Sequence, residues 1–249
     1  MRKTFALGRT LVIGDIHSGK RALEQVLGRV KLQSQDHLIF LGDYVDGWSD
    51  AAETIDFLIR LSGYQKCTFI RGNHDELCLN YLTKADAPEN WLLHGGQQTK
   101  DSYDAQPGAI VEQHISFLRS LADYHFDAAN SQLFLHAGFT NLRGVEYEYF
   151  SKTFYWDRTL WELAQVVEDS STSDLPPRLK NYSEIFIGHT PVSKKEFTPP
   201  KRAANVWNID TGAAFKGAVS ILDVQTKQFW QSDAVESLYP GEPGRNLAP

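Results

Sequence analysis

Short apolar runs that stop at a glycine recur along the chain. Thr10-Leu11-Val12-Ile13 stops at Gly14, His37-Leu38-Ile39-Phe40-Leu41 at Gly42, and Cys67-Thr68-Phe69-Ile70 gives way through Arg71 to Gly72. Runs this short, bounded by turn residues, predict buried strands. Between them, Ala22, Leu23, Val26, Leu27 and Val30, then Ala52, Ile55, Leu58 and Ile59, are spaced for one face of a helix. Ser49 and Asp50 are candidate caps for the second helix. Gly14, Gly42 and Gly72 stand 28 and 30 residues apart. Strand and helix alternating at that step predict βαβ units with parallel strands. Right-handed crossovers then bring the three strand ends to one rim of a sheet, where open α/β sheets bind ligands.

From 76 to about 126 the pattern is mainly helical, with Leu77, Leu79 and Leu82 in one segment and Ile115, Leu118, Leu121 and Ala122 in another. Pro88, Gly95-Gly96 and Pro107-Gly108 interrupt it. This predicts a helical insertion over about 76–130, not a separate domain. Gln132–Leu135 and Glu184–Ile187 read as further strands, ending at His136-Ala137-Gly138 and Gly188-His189-Thr190. Residues 145–168 are aromatic-rich and partly helical in pattern, and 170–177 is a polar loop. Residues 206–209, 219–224 and 228–231 read as later strands, the last two joined by a turn through Gln225-Thr226-Lys227. The expectation is a single domain over 1–239 and a C-terminal tail, 240–249, rich in Pro and Gly.

Composition narrows the function classes. The chain has 249 residues, 42% hydrophobic and 22% charged, enough for a sizeable core. A formal net charge of −6 argues against broad nucleic-acid binding. It leaves room for an anionic substrate, because bound metal ions reverse a local field. Cys67 and Cys78 form no Cys-x-x-Cys pair, so they read as buried free thiols in a reducing compartment. Residues 1–9 are basic without an apolar core, and Leu11-Val12-Ile13 is too short for a signal peptide or membrane span. A cytoplasmic protein with no membrane partner is expected.

Five strand-like runs each deliver ligand-type side chains at their ends: Asp15 and His17, Asp43 and Asp46, Asn73 and His74, His136, and His189. Singly, each has an ordinary explanation, such as a turn aspartate or a satisfied core histidine. Of these, Asp15, Asp43, Asn73, His17, His136 and His189 give two carboxylates, an amide oxygen and three imidazoles, a set that suits divalent ions such as Mn²⁺, Fe²⁺ and Zn²⁺. With no thiolate, a structural zinc site is not the natural reading. Six ligands are too many for one catalytic ion with open positions. They suit two ions roughly 3.5–4 Å apart sharing a carboxylate, with Asp43, on the middle strand end, as the best bridge. Such a pair would lower the pKa of a bridging water and make hydroxide for in-line attack on phosphorus. His74, next to Asn73, can protonate the leaving alkoxide, and a carboxylate would fix its tautomer; Asp46 is the candidate.

The segments Gly14-Asp15-Ile16-His17, Gly42-Asp43-Tyr44-Val45-Asp46, Arg71-Gly72-Asn73-His74, His136-Ala137-Gly138 and Gly188-His189-Thr190 resemble the calcineurin-like metallophosphoesterases. The likeness is strongest to the phosphoprotein phosphatase branch, with its bacterial and bacteriophage serine/threonine phosphatases and symmetric diadenosine tetraphosphate hydrolases. Asn90-Trp91-Leu92-Leu93-His94-Gly95-Gly96 and Ile209-Asp210-Thr211-Gly212-Ala213 also look like that branch. The resemblance implies an α/β fold, a four-layer αββα sandwich of two mixed sheets. It implies one metal held by Asp15, His17 and Asp43, and a second by Asp43, Asn73, His136 and His189. Mn²⁺ is the first expectation for both, with iron or Zn²⁺ as alternatives. It further implies His74 as general acid paired with Asp46, Asn73 on the substrate phosphate, and Arg158 as a phosphate-binding arginine.

Two positions depart from the family pattern. Gly47-Trp48 stands where Arg-Gly is usual, which removes a bidentate arginine clamp on phosphate. Trp48 is then expected either to stack on an aromatic ligand or to pack against the helical insertion. Ser18 replaces a glycine, with Gly19 next to it to make the turn. For Trp91, Tyr155, Trp156 and Trp161, core packing is the expectation. The functional expectation is a dinuclear metal-dependent phosphatase for phosphomonoesters, with a phosphoprotein or small phosphoester as partner. Hydrolysis of a dinucleoside polyphosphate or nucleotide is the alternative, and a non-catalytic metal-bound regulatory module is a third reading.

Overall fold

The structure, a computed structural model, describes residues 8–169 and 174–246. Most of the basic N-terminal segment, the first half of the 170–177 loop and the last three residues lie outside the described residues. The strands are β1 (Thr10–Ile13), β2 (His37–Phe40), β3 (Lys66–Phe69), β4 (Tyr124–Asp127), β5 (Gln132–Leu135), β6 (Glu184–Ile187), β7 (Lys201–Ala203), β8 (Val206–Asn208), β9 (Ser220–Asp223) and β10 (Phe229–Gln231). They form two five-stranded sheets, in the orders β10-β9-β1-β2-β3 and β4-β5-β6-β8-β7. Strands β1, β2 and β3 run parallel, as do β5, β6 and β8. The outer strands β9, β10, β4 and β7 are antiparallel to their neighbours, so both sheets are mixed.

Alternation along each strand explains the layering. Leu11, Ile13, Leu38 and Phe40 face a core shared with α1 (Lys20–Val30) and α2 (Ala51–Ser62). Their neighbours Val12, Ile39 and Leu41 face a second core together with Phe134, Phe186, Ile209 and Leu222. Leu133, Leu135, Ile185 and Ile187 turn to a third core under α8 (Thr159–Asp169). Helices, sheet, sheet, helices is thus the order of the layers. Burial on both faces is why the strands read as continuous apolar runs. The interior between the sheets is closed by Phe134 stacked on Phe186, ring centroids 4.8 Å apart.

The insertion is helical over α3 (Asn73–Lys84), α4 (Glu89–Trp91), α5 (Gln97–Asp104) and α6 (Gly108–Ser120), with a kink at Gly95 (φ +100°). The helical reading fails beyond Ser120: Tyr124–Asp127 is strand β4, paired antiparallel with β5. Its alternation is blurred because only part of each face is covered. Strand β7, three residues long with two exposed, also escapes a periodicity reading. Further along, α7 (Thr153–Trp156), α9 (Pro177–Lys180) and α10 (Val235–Leu238) are single turns. No helix among the described residues is long and apolar enough to cross a membrane.

Candidate active site

Strand ends of both sheets meet at one rim. There Asp15, His17, Asp43, Asn73, His136 and His189 are all buried. Asp15, His17 and Asp43 place one ligand atom each within 4.8 Å of one another, and so do Asp43, His136 and His189. Asn73, the first residue of α3, puts Oδ1 3.2 Å from His136 Nε2 and 2.9 Å from His189 Nδ1. Asp43 is common to both clusters.

The backbone bends hard to achieve this. His17, Asp43, Asp46 and His189 all have left-handed φ, between +52° and +70°. Non-glycine residues avoid that region unless the surroundings hold them there, and such strain collects at functional sites. Ser18 belongs with them at φ +63°, whereas Gly19 has φ −80°. The first-strand turn is therefore made by His17 and Ser18, and not by Gly19 as expected. Asp75 holds the Asp43 loop: its carboxylate accepts N–H bonds from Asp43 (2.9 Å), Tyr44 (2.8 Å) and Gly72 (2.8 Å). Gly72 is required by crowding, since an added Cβ would stand 2.1 Å from Asp43 Oδ1.

Hydrogen bonds fix the ring orientations. His136 Nδ1 donates to the Leu41 carbonyl (2.8 Å), crossing from one sheet to the other. His17 Nδ1 donates to the Asp46 carbonyl (2.9 Å), so that Nε2 faces Asp15 Oδ2 (3.8 Å) and Asp43 Oδ2 (3.7 Å). Outer partners of this kind orient metal-binding imidazoles. Burial holds the His17 ring well below the usual histidine range and raises Asp15 well above the usual carboxyl range, Asp210 adding to the latter. Burial also opposes charge on Asp43, but His136 and His74 outweigh it and hold that carboxyl low.

Beside this cluster lies His74, whose Nδ1 is 2.6 Å from Asp46 Oδ2. Asp46 is fully buried and is held by two more donors, Trp91 Nε1–H (2.6 Å) and the Thr99 hydroxyl (2.6 Å). Trp91 is thus buried as expected, but its N–H also braces the dyad. Trp156 corrects the core-packing expectation: it is 44% exposed and lines the cleft over the site. Tyr155 and Trp161 are buried in the core under α8. Trp48 is buried too, in one core with Tyr103 and Leu118 of the helical insertion, and its ring stacks on Tyr239.

The cleft has a volume of about 340 Å³ and reaches from Asp43, Asn73 and His74 out to Arg158, Lys194 and Arg245. Arg158 donates to Thr190 Oγ1 (3.1 Å) and pairs with no carboxylate among the described residues; the buried ion pair nearby is Arg178–Asp157 (2.8 Å). Asp75, Thr99, Lys194, Phe215 and Arg245 carry no signal that sequence reasoning singled out. Only Asp75, three residues after Gly72 at a helix start, sat in a pattern that could have shown its role.

Residues 8–215 match the family model of the calcineurin-like phosphoesterases. The chain belongs to that family. This phosphoesterase is similar to serine/threonine-protein phosphatase 1 of Salmonella typhimurium, 24% identical over 227 residues, covering 86% of this chain and 91% of that one. It is also similar to the asymmetrical bis(5'-nucleosyl)-tetraphosphatase PrpE of Geobacillus thermodenitrificans, 25% identical over 230 residues, covering 85% and 88%. Among solved structures, a serine/threonine phosphatase from Saccharomyces cerevisiae superposes with a TM-score of 0.63 at 13% identity, covering 98% of this chain and 85% of that one. That likeness shows the fold. The phosphoesterase is a hydrolase of phosphoric esters, and its family works with divalent metal ions.

Proposed function

We propose that this phosphoesterase is a dinuclear phosphatase for phosphomonoesters, with phosphorylated protein side chains as the first substrate class. The observation that carries the reading is the convergence of six buried ligands from two sheets beside the His74–Asp46 dyad. Asp15, His17 and Asp43 would hold one ion, and Asp43, Asn73, His136 and His189 the other. The donors fit. His136 Nε2 faces Asn73 Oδ1 at 3.2 Å and Asp43 Oδ2 at 3.4 Å, an arrangement of oxygens around a nitrogen that calls for positive charge. Burial disfavours a proton there, yet Asp43 outweighs it and pushes His136 up to about 9. A divalent cation answers the same demand more fully. Mn²⁺ is our choice for an oxygen- and imidazole-rich set.

When bound, the ions supply Lewis acidity and a water acidified enough to act as nucleophile. The chain's own groups do the rest. Asp46 takes the Nδ1–H of His74, leaving Nε2 to carry the proton for the leaving alkoxide. Thr99 and Trp91 keep that carboxylate in place. Asn73 and Arg158 line the cleft and would bind the phosphoryl group there.

Cleavage of a dinucleoside polyphosphate is the second reading. An exposed Trp156 beside the cationic Arg158 and Lys194 would suit a base and further phosphates. Hydrolysis of an aryl phosphate, a phosphopeptide and diadenosine tetraphosphate, each with Mn²⁺, separates the two. Turnover of the first two at the higher kcat/KM is expected. A preference for the dinucleotide selects the second reading, and no metal-dependent turnover of any of them sinks both. The free thiols of Cys67 and Cys78 support a cytoplasmic location.

A further inference from the structure

The departure at Gly47-Trp48 has a counterpart far along the chain. Gly47 has φ +135°, and a Cβ added there would lie 3.7 Å from Arg245 Cγ. The stem of Arg245 therefore occupies the space just outside residue 47. Trp48 forms the floor beneath the segment that carries it. Its indole N–H donates to the Ala213 carbonyl (2.8 Å), and its ring stacks on Tyr239 with centroids 5.3 Å apart. The Tyr239 hydroxyl donates to Asp50 Oδ2 (2.7 Å). Glu242 accepts from the Ser49 backbone N–H (3.0 Å) and the Ser49 hydroxyl (2.8 Å). At Gly244 (φ +58°) any Cβ would stand 2.7 Å from Trp48 Cζ2 and 2.8 Å from the Ala214 carbonyl, and the next N–H, that of Arg245, donates to that carbonyl (2.8 Å). Segment 239–245 is thus held in one register against 48–50 and 213–214.

The side chain so delivered is unsatisfied. Arg245 lines the cleft with Asp43, Asn73 and His74. Its Nε is buried without a hydrogen-bond partner. Its guanidinium lies 5.5 Å from the centroid of Phe215, and no carboxylate pairs with it among the described residues. A buried N–H left unpaired is costly, and a guanidinium fork matches the oxygens of a phosphoryl group. We propose that Arg245, whose stem packs where Gly47 carries no side chain, binds the substrate's phosphoryl group in the cleft. The C-terminal segment is then part of the active site and not a tail. Gly47 removes a side chain from the loop, and Trp48 supplies the surface that brings a replacement from elsewhere.

The proposal rests on the phosphomonoester reading, so its test measures anion binding and turnover separately. Full-length wild type, Arg245→Ala and Arg245→Lys are loaded with Mn²⁺. Metal content and Tm are recorded, inorganic phosphate binding is measured by calorimetry, and aryl phosphate hydrolysis is assayed. Arg245→Ala is expected to weaken phosphate binding and raise KM by roughly 10- to 100-fold, with metal content and Tm kept. Arg245→Lys recovers only part, because a point charge lacks the fork. Added guanidinium ion partly restores Arg245→Ala. Phosphate affinity of Arg245→Ala within about twofold of wild type, with both ions retained, overturns the proposal. Should Arg245→Ala lose metal or melt early, Arg245→Lys decides, and wild-type phosphate affinity in it overturns the proposal. If wild type binds phosphate through Arg245 yet hydrolyses no phosphomonoester, the functional reading fails and the anion site stands. If wild type is active and Arg245→Ala binds phosphate normally, only the Arg245 assignment falls.

Discussion

Asp46 shows how much one side chain can be asked to do. It sits at φ +68° with no exposure, and three donors converge on its carboxylate. Such a group has a single orientation, which it passes to His74. Replacing His74 by Asn should leave Mn²⁺ content unchanged and lower kcat on an aryl phosphate by about 10²- to 10⁴-fold. An undiminished kcat would remove His74 from the acid role. A second test concerns Gly72, where a methyl group would collide with Asp43 Oδ1 and the Asp43 backbone nitrogen, the latter at 2.2 Å. Gly72→Ala should cost about 1–3 kcal/mol. Because the strain falls on Asp43, which both proposed metal sites share, metal content by elemental analysis should drop even in the fraction that remains folded.

Between elements, the informative contact is that of β2 with β4 across the two sheets. His37 on β2 meets His125 on β4 edge to face, centroids 5.7 Å apart, while its Nε2 reaches Thr68 Oγ1 on β3 at 2.9 Å. Burial, aided by Lys66 and His125, lowers His37 to about 4. Its folded value lies below its unfolded one, so the unfolded chain takes up the proton first. The resulting stability is full above about pH 6.5 and is lost as pH falls towards 4. The ring is only half-buried, so the effect is ~1 kcal/mol once solvent screening is allowed for. His37→Gln should flatten the fall in urea midpoint between pH 7 and pH 5 relative to wild type. Equal slopes for the two proteins would place the acid sensitivity elsewhere.

For the molecule as a whole, the site is a seam. Asp15, His17, Asp43 and Asn73 follow strands of one sheet, and His136 and His189 follow strands of the other. Cations bound across that seam, as proposed, would bind the folded state alone and so would stabilise it by mass action. Titrating Mn²⁺ into chelator-treated protein should raise Tm progressively, by the equivalent of about 2.7 kcal/mol when free ion reaches a hundred times its Kd. A Tm indifferent to Mn²⁺ and to chelator would mean that the seam holds no ion. The family model matches residues 8–215 and ends before Arg245.

The strands and their polar ends were legible because the relevant forces are local. A run such as Leu38-Ile39-Phe40-Leu41 is apolar on both faces, and Gly42 allows the turn at φ +105° whatever the rest of the chain does. The ligand types could be read for the same reason: each follows its strand directly. Strand β4 was not legible, because its half-covered faces blur the alternation and pairing with β5 alone makes it a strand. Nor were the Trp91 and Thr99 bonds to Asp46, the outward turn of Trp156, or the approach of Arg245 to Gly47. These join residues far apart in the chain, and local pattern carries no term for a distance that only packing sets. The sequence by itself determined which chemistry the strand ends could offer. The tertiary structure decided which of those groups face one another, because a hydrogen bond or a shared cation needs atoms within a few ångströms, and only the closed sandwich brings them there.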